Sequence, residues 1–199
     1  GARCHAERRG EICHHGGAFH LRALDAAGHP VEPLGHDEAA RPVLRLERGA
    51  EPVQLAHEVP EEYRSNKEGY IDLLIHEVLP AVSDQGLARF FDVFCEEGVF
   101  SVEDTERLVQ AGAAAGLGIK IHADEFAPLG GAELAARVGA VSAEHLIAIS
   151  ESGVRALAAS PTAAILLPGV SFFLRQDKRA PARALIDAGA AVALATDFN

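Results

Sequence analysis

The stretch Lys120-Ile121-His122-Ala123-Asp124-Glu125-Phe126 decides the fold, because it joins a strand-like run to a cluster of polar side chains. Apolar residues alternate with other residues up to Ala123, which indicates a β-strand. A histidine, two carboxylates and a phenylalanine then lie within five residues. Strand ends hold side chains rigidly while the following loop admits a ligand, so this pattern is typical of the chemical centre of an α/β enzyme.

Strands and helices alternate on both sides of this stretch. The predicted strands are 52–57, 90–95, 117–123, 140–145, 163–167 and 191–196, and the predicted helices are 70–79, 101–116, 132–138, 151–159 and 181–188. The first of these helices is expected to stop at Pro80. The strands read as apolar throughout, which predicts an α/β fold with a parallel sheet covered on both faces, wound either open or as a barrel. No glycine-rich phosphate-binding motif occurs, which weighs against nucleotide binding.

Length and composition favour a globular protein. The chain has 199 residues, of which 48% are hydrophobic, enough to bury a core. A net charge of -11 predicts that the surface repels nucleic acid and anionic membranes. Three cysteines do not suggest a disulfide framework, and neither an 18-residue apolar run nor a basic leader is found. These features predict a cytoplasmic protein without nucleic-acid or membrane partners.

Residues 1–52 differ in composition from residues 53–199. The first 56 residues contain seven arginines and six of the ten histidines, but no lysine, serine, threonine, asparagine or tyrosine. Candidate zinc ligands occur here, but their spacing matches no paired motif, so a structural zinc site is disfavoured; they are Cys4, His5, Cys13, His14, His15 and His20. A GC-rich gene read out of frame yields this composition, and resequencing that gene tests this hypothesis.

Titratable residues recur where the predicted strands end. They are His57, Cys95 with Glu96, His122 with Glu125, His145, and Asp197 with Asn199. In a barrel of parallel strands, these ends converge on one face. Each residue alone has a simpler explanation, such as a structural hydrogen bond or a helix cap. Their repetition at successive strand ends favours a functional site, because stability alone favours apolar or turn-forming residues there.

The residue types at these strand ends suit hydrolysis assisted by a metal ion. His122 and Asp197 are suitable ligands for a divalent ion, which would make hydroxide available at neutral pH. Glu125 follows His122 by three residues, so it can move a proton between water, substrate and leaving nitrogen. His145 can steady the attacking water or the developing oxyanion.

Residues 57–199 resemble the imidazolonepropionase family of metal-dependent amidohydrolases. The matching segments follow the family's order: His57–Arg64, Asp92–Ser101, Lys120–Phe126, Gly130–Leu134, Val141–Leu146, Leu166–Gly169, Phe172–Arg175 and Ala195–Asn199. The resemblance implies a TIM-type (β/α) barrel that hydrolyses 4-imidazolone-5-propanoate to N-formimino-L-glutamate in histidine degradation. It also allows a homodimer of the full-length enzyme.

The resemblance implies a role for each strand-end residue. The implied roles are metal ligands for one zinc or iron ion (His122 and Asp197), catalytic residues (Glu125, His145 and Asp197) and substrate contacts (His57, Glu125 and Asn199). Asp197 is also implied to take the proton of the attacking water.

The family pattern is incomplete in this chain. The His-x-His pair of the first barrel strand does not occur, nor do the arginine of the early loop and the tyrosine of a Ser-Gly-Tyr-Gly segment. We therefore expect an incomplete barrel, with five to six of eight units, that is inactive alone and binds metal weakly. Two alternatives stay open: another amidohydrolase, resembling cytosine deaminase, and a non-catalytic partial barrel that binds metal.

Overall fold

Five parallel strands form the sheet in the computed structural model, which describes residues 56–86 and 88–197. They are β1 (Phe90–Cys95), β2 (Gly118–Ala123), β3 (Ser142–His145), β4 (Ala163–Leu166) and β5 (Val192–Leu194). Their order in the sheet is their order in the chain, and each neighbouring pair is parallel. A sheet wound in one direction only is a sector of a (β/α) barrel, whereas a doubly wound sheet reverses its order. The predicted incomplete α/β barrel is confirmed, with five strands described.

Helices connect the strands and cover one face of the sheet. They are a 3₁₀ turn (Glu61–Tyr63), α1 (Lys67–Leu73), a π-helical segment (Leu74–Val78), α2 (Leu79–Asp84), α3 (Val102–Ala114), α4 (Gly131–Val138), α5 (Glu151–Ala158), α6 (Pro168–Phe173) and α7 (Ala182–Ala188). Within the described residues, no helix is both long and apolar enough to cross a membrane.

Two predictions about helices are wrong. The helix expected to stop at Pro80 continues to Asp84, with Pro80 in the first turn of α2. A π-helical segment, Leu74–Val78, precedes this turn and alters the hydrogen-bond ladder just where proline lacks its N–H. The predicted helices also leave out α6, which follows the predicted strand 163–167; Pro168 begins this helix, at a position where a missing N–H costs nothing.

The two faces of the sheet differ in polarity. On β2, Ile121 and Ala123 are fully buried and belong to the apolar core with Leu108 of α3 and Leu134 of α4. The side chains between them, including His122, point to the opposite face and are partly exposed. The expectation that every strand is apolar throughout is therefore wrong for β2, because its inner face carries the polar groups of the barrel interior.

A local sequence signal places the start of α3 as expected. The Ser101 hydroxyl accepts a hydrogen bond from the Asp104 N–H at 3.1 Å, and the Asp104 carboxylate accepts one from the Ser101 N–H at 3.0 Å. This reciprocal capping box begins α3 where the sequence predicted it.

Ala56, the residue before His57, is hydrogen-bonded to the edge of β1. The Phe94 N–H donates a hydrogen bond of 2.9 Å to the Ala56 carbonyl, which holds His57 beside the end of β1. The rest of the predicted strand 52–57, and all predictions for residues 1–52, lie outside the described residues.

Candidate functional site

Three side chains from three different strand ends meet on the inner side of the sheet. The Nε2 atom of His122 lies 3.9 Å from Asp197 Oδ1, and the Nε2 atom of His145 lies 3.9 Å from Asp197 Oδ2. The two imidazole ring centres are 5.0 Å apart. The convergence expected of β2, β3 and the segment after β5 is therefore present.

These three side chains suit a bound cation. One ligand atom from each of His122, His145 and Asp197 lies within 4.8 Å of the others. The two distances of 3.9 Å are too long for hydrogen bonds. Two atoms that bind one cation at about 2.0–2.2 Å lie about 3.3–3.6 Å apart at the tetrahedral angle and at most about 4.4 Å apart when opposite. The donor set of two imidazole nitrogens and a carboxylate oxygen is one that zinc and iron accept.

A second polar group shares His122. Asp92 Oδ1 lies 3.0 Å from His122 Nδ1, and Asp92 Oδ2 lies 3.6 Å from His57 Nε2. The ring centres of His57 and His122 are 4.5 Å apart in an edge-to-face arrangement. Sequence reasoning missed Asp92 as a site residue, although a single carboxylate inside the apolar run Phe90–Cys95 was a visible signal.

Glu125 lies beside His145. Its Oε1 atom is 3.5 Å from His145 Nδ1, and its side chain is 6% exposed. Burial raises the pKa of Glu125 to about 7; the charges of Asp197 and Glu96 act in the same direction, and that of His122 opposes them. A carboxyl group that titrates near neutral pH can both accept and release a proton there.

The pKa values of His122 and His145 shift in opposite directions. Burial lowers the pKa of His122, but the neighbouring carboxylates of Asp197 and Asp92 outweigh it and raise that pKa to about 10. Burial and the positive charge of His122 lower the pKa of His145 to about 4. At neutral pH and without a cation, His145 is neutral and offers a lone pair.

The carboxylates that flank His122 stay ionised. Proximity to His122 is the largest cause of the lowered pKa of Asp197, and burial opposes it. Burial alone would raise the pKa of Asp92, but its interactions with His122 and His57 hold that pKa well below its usual range. The inner side of the sheet therefore presents fixed negative charge on both sides of one imidazole.

Four residues at the strand ends adopt left-handed backbone conformations. The φ angles are 49° for Asp124, 69° for His145, 60° for Leu146 and 57° for Asp197. Non-glycine residues pay of order 1–3 kcal/mol for such conformations, and they cluster at functional sites. Here the turn directs the side chains of His145 and Asp197 towards His122.

Two further carboxylates at these strand ends are structural. The carboxylate of Asp124 accepts hydrogen bonds from the N–H groups of Gly130, Gly131 and Ala132 at 3.0–3.1 Å, so it holds the start of α4. Glu96 is 3% exposed and accepts a hydrogen bond of 2.9 Å from the Phe126 N–H. Glu96, predicted as a titratable residue at a strand end, therefore joins the ends of β1 and β2.

Another buried carboxylate, Glu144, lies on β3 beside His122. Glu144, which is paired in register with His122, accepts a hydrogen bond from Ser142 and lies 3.1 Å from the Lys120 ammonium. Burial raises the pKa of Glu144, and Asp92 adds to the effect. The site predicted from the sequence did not include Glu144, Ser142 or Lys120.

The structure brings together five of the six predicted site residues. His57, His122, Glu125, His145 and Asp197 all lie on one side of the sheet at the carboxyl ends of its strands, and Asn199 lies outside the described residues. Their individual roles stay predictions.

Comparison with known proteins gives a consistent set of relatives. The chain is 56% identical over 144 residues to an imidazolonepropionase of Treponema denticola, which covers 72% of this chain and 35% of that protein. Imidazolonepropionases of Alkaliphilus oremlandii and Geobacillus kaustophilus are each 54% identical over 144 residues, covering 72% of this chain and 34% of each protein. No family model matches the chain.

Solved structures offer only distant similarity. A triazine hydrolase has a TM-score of 0.49 at 14% identity, covering 72% of this chain and 34% of that chain. Phenylurea hydrolase B has a TM-score of 0.47 at 18% identity, covering 65% of this chain and 36% of that chain. These scores are too low to carry an argument, whereas the sequence relatives agree with one another. Over nearly three quarters of its length, the chain is homologous to imidazolonepropionases and spans about a third of the length of those relatives.

Proposed function

We propose that this chain is part of an imidazolonepropionase, which hydrolyses 4-imidazolone-5-propanoate to N-formimino-L-glutamate. The observation that carries the proposal is the convergence of His122, His145 and Asp197, with Glu125 beside them, at the strand ends. It occurs in a chain whose curated relatives at 53–56% identity are named for that activity.

The proposed ligands are His122 and Asp197, and the structure adds His145 as a neighbouring donor. A divalent cation held there would lower the pKa of water and supply a nucleophile at neutral pH. Zinc and iron both suit the donors, and elemental analysis of the loaded protein distinguishes them. The two histidines that the family draws from its first strand would complete the set.

Glu125 is proposed to carry the proton. It takes the proton from water as the oxygen adds to the ring carbonyl carbon, and delivers it to the ring nitrogen as the carbon–nitrogen bond breaks. The carbonyl carbon becomes the new carboxyl group, so atoms and charge balance. In the chain without a bound cation, the pKa of Glu125 is raised to about 7, which allows it to accept and to release a proton near neutral pH. Asp197 is the alternative first acceptor of the proton.

Neutral His145 and His57 are proposed to contact the reacting ring. His145 lies between Glu125 and Asp197, where it can donate a hydrogen bond to the oxygen that gains negative charge. His57 lies on the far side of His122, at the edge of the site, in a position to contact the substrate.

A chimera tests the proposal, because the chain spans only a third of its relatives. The 144 matched residues would replace the corresponding stretch of the Treponema denticola protein. We expect this chimera to hydrolyse 4-imidazolone-5-propanoate, and the Glu125→Gln variant to lose about 10²–10⁴-fold in kcat. Surface variant Glu151→Gln is the matched control, since Glu151 lies on α5 and forms only an exposed ion pair.

Two results would contradict the proposal. A folded chimera that turns over cytosine or another cyclic amide, but not imidazolonepropionate, would favour the related amidohydrolase alternative. Full activity of the 199-residue chain alone would contradict the expectation that the first-strand ligands are needed.

A further inference from the structure

His122 makes a contact on the side away from Asp197. Its Nδ1 atom lies 3.0 Å from Asp92 Oδ1, while its Nε2 atom faces Asp197. The second oxygen of Asp92 points at His57, 3.6 Å away. Asp92 thus lies between two histidines, in the middle of a strand, and the proposed chemistry does not use it.

The short distance identifies a hydrogen bond rather than a second cation site, although His57, Asp92 and His122 offer ligand atoms within 4.8 Å of one another. Two atoms bound to one cation at about 2.0–2.2 Å and the tetrahedral angle lie about 3.3–3.6 Å apart. A separation of 3.0 Å between imidazole nitrogen and carboxylate oxygen is a normal hydrogen-bond length. Nδ1 therefore carries a proton that it donates to Asp92, and Nε2 is the atom that would bind a cation once it has lost its own proton.

The alternative orientation of the ring shows why this bond matters. Turning the His122 ring by half a rotation would exchange Nδ1 with Cδ2 and Nε2 with Cε1. A carbon would then face Asp92 and another carbon would face Asp197, and neither can bind a cation. Ring packing alone does not choose between the two orientations, because His57 and Phe94 contact the ring in edge-to-face fashion whichever way it points.

We propose that Asp92 is a positioning residue that fixes the His122 ring with Nδ1–H towards β1 and Nε2 towards Asp197 and His145. Metal-binding histidines commonly depend on such a second hydrogen bond for tautomer and orientation. The inference deepens the proposed function and rests on it for the identity of the ion. The geometry that carries it belongs to the chain itself.

The first measurement uses the metal-free 199-residue chain with ¹⁵N-labelled histidine. We expect a slowly exchanging Nδ1–H signal of His122, assigned by its absence in His122→Gln. Asp92→Ala should remove that signal, and Asp92→Asn should restore it in part, because the amide oxygen is an acceptor without full charge. The matched control Asp187→Ala, on the exposed face of α7, should leave it unchanged.

The second measurement is the zinc dissociation constant, obtained by competition with a chelator. Asp92→Ala should raise it about 10–100-fold, with Asp92→Asn between this variant and the natural chain. If Asp92→Ala does not fold, Asp92→Asn alone tests the inference. Its Nδ1–H signal should weaken and its zinc dissociation constant should rise, both by less than expected for the alanine variant. An unchanged Nδ1–H signal and zinc constant in the folded variants would overturn the inference. A natural chain that shows the signal but binds no zinc would support the orienting role and count against the metal centre of the proposed function.

Discussion

Asp124 and Asp197 are the same residue type, each with a left-handed backbone after a strand: Asp124 directly follows β2, and Asp197 lies three residues beyond β5. Asp124 is fully buried, and its carboxylate accepts three backbone hydrogen bonds at the start of α4. Asp197 is partly exposed, and its oxygens face His122 and His145 across gaps of 3.9 Å. The fold occupies most of the acceptor sites of the Asp124 carboxylate, whereas the Asp197 carboxylate faces the inner side of the sheet, where a ligand can reach it.

This difference separates a structural carboxylate from a chemical one. The Asp124 carboxylate uses three of its roughly four acceptor sites on backbone N–H groups, and so stabilises the loop that carries Glu125. Asp197 instead interacts with the folded chain through its charge, which lies beside His122. Substitutions at these two residues should therefore affect different measurements.

The largest expected effect is that of Asp197→Asn on activity. In the chimera with the Treponema denticola protein, this variant should lose about 10²–10⁴-fold in kcat, because an amide neither carries the charge nor accepts the proton. Its urea midpoint should stay close to that of the parent chimera. A variant that loses activity only in proportion to its unfolded fraction would make Asp197 a structural residue like Asp124.

Asp124→Ala should act mainly on stability. Removing the acceptor of three buried N–H groups should lower the free energy of unfolding by roughly 3–5 kcal/mol, as measured by urea denaturation. Asp124→Asn keeps one acceptor oxygen and should lose less. Equal stability of the alanine variant and the parent would show that the three hydrogen bonds do not hold α4.

Glu125→Gln should change how stability depends on pH. The folded chain raises the Glu125 pKa from 4.5 to about 7, so it binds the proton more tightly than the unfolded chain. Stability is therefore lost as pH rises from about 4.5 through about 7. The metal-free glutamine variant should be more stable than the natural chain by roughly 2–3 kcal/mol at pH 8 and no more stable at pH 4. Parallel stability curves across this range would contradict the raised pKa.

Deleting residues 1–52 should have the smallest effect. The proposed ligands lie in the described sheet, so zinc bound per chain should be the same with and without this segment. The control is His122→Gln in the shortened chain, which should reduce the bound zinc. Loss of all zinc on deletion would instead assign metal binding to the cysteines and histidines of residues 1–52.

Much of the fold could be predicted from local pattern. The capping box at Ser101 and the strand around Ile121 are local signals, and the structure has both where they were expected. The helix through Pro80 could not be predicted, because a π-helical turn that accommodates proline has no local signature. The distinction between a barrel and an open sheet could be made only from the order of the strands in the sheet, because a series of apolar strands fits both.

The site was predictable to the extent that strand ends converge. His122, His145 and Asp197 followed from this rule, and so did Glu125. Asp92 was not predicted as a site residue, because it lies in the middle of β1 rather than at its end. It is two residues before the level of His122, and its carboxylate reaches that ring only through the parallel pairing of β1 and β2.

The sequence by itself determined the alternation of strands and helices, the family resemblance, and which strand ends carry titratable groups, because these depend on residue type and spacing along the chain. Only the tertiary structure decided which carboxylate does what. The Asp124 carboxylate lies against three backbone N–H groups, and the Asp92 carboxylate lies against Nδ1 of His122. The Asp197 carboxylate faces two imidazoles across a gap. The role of a carboxylate depends on which donors surround it, and those donors come from segments far apart in the chain.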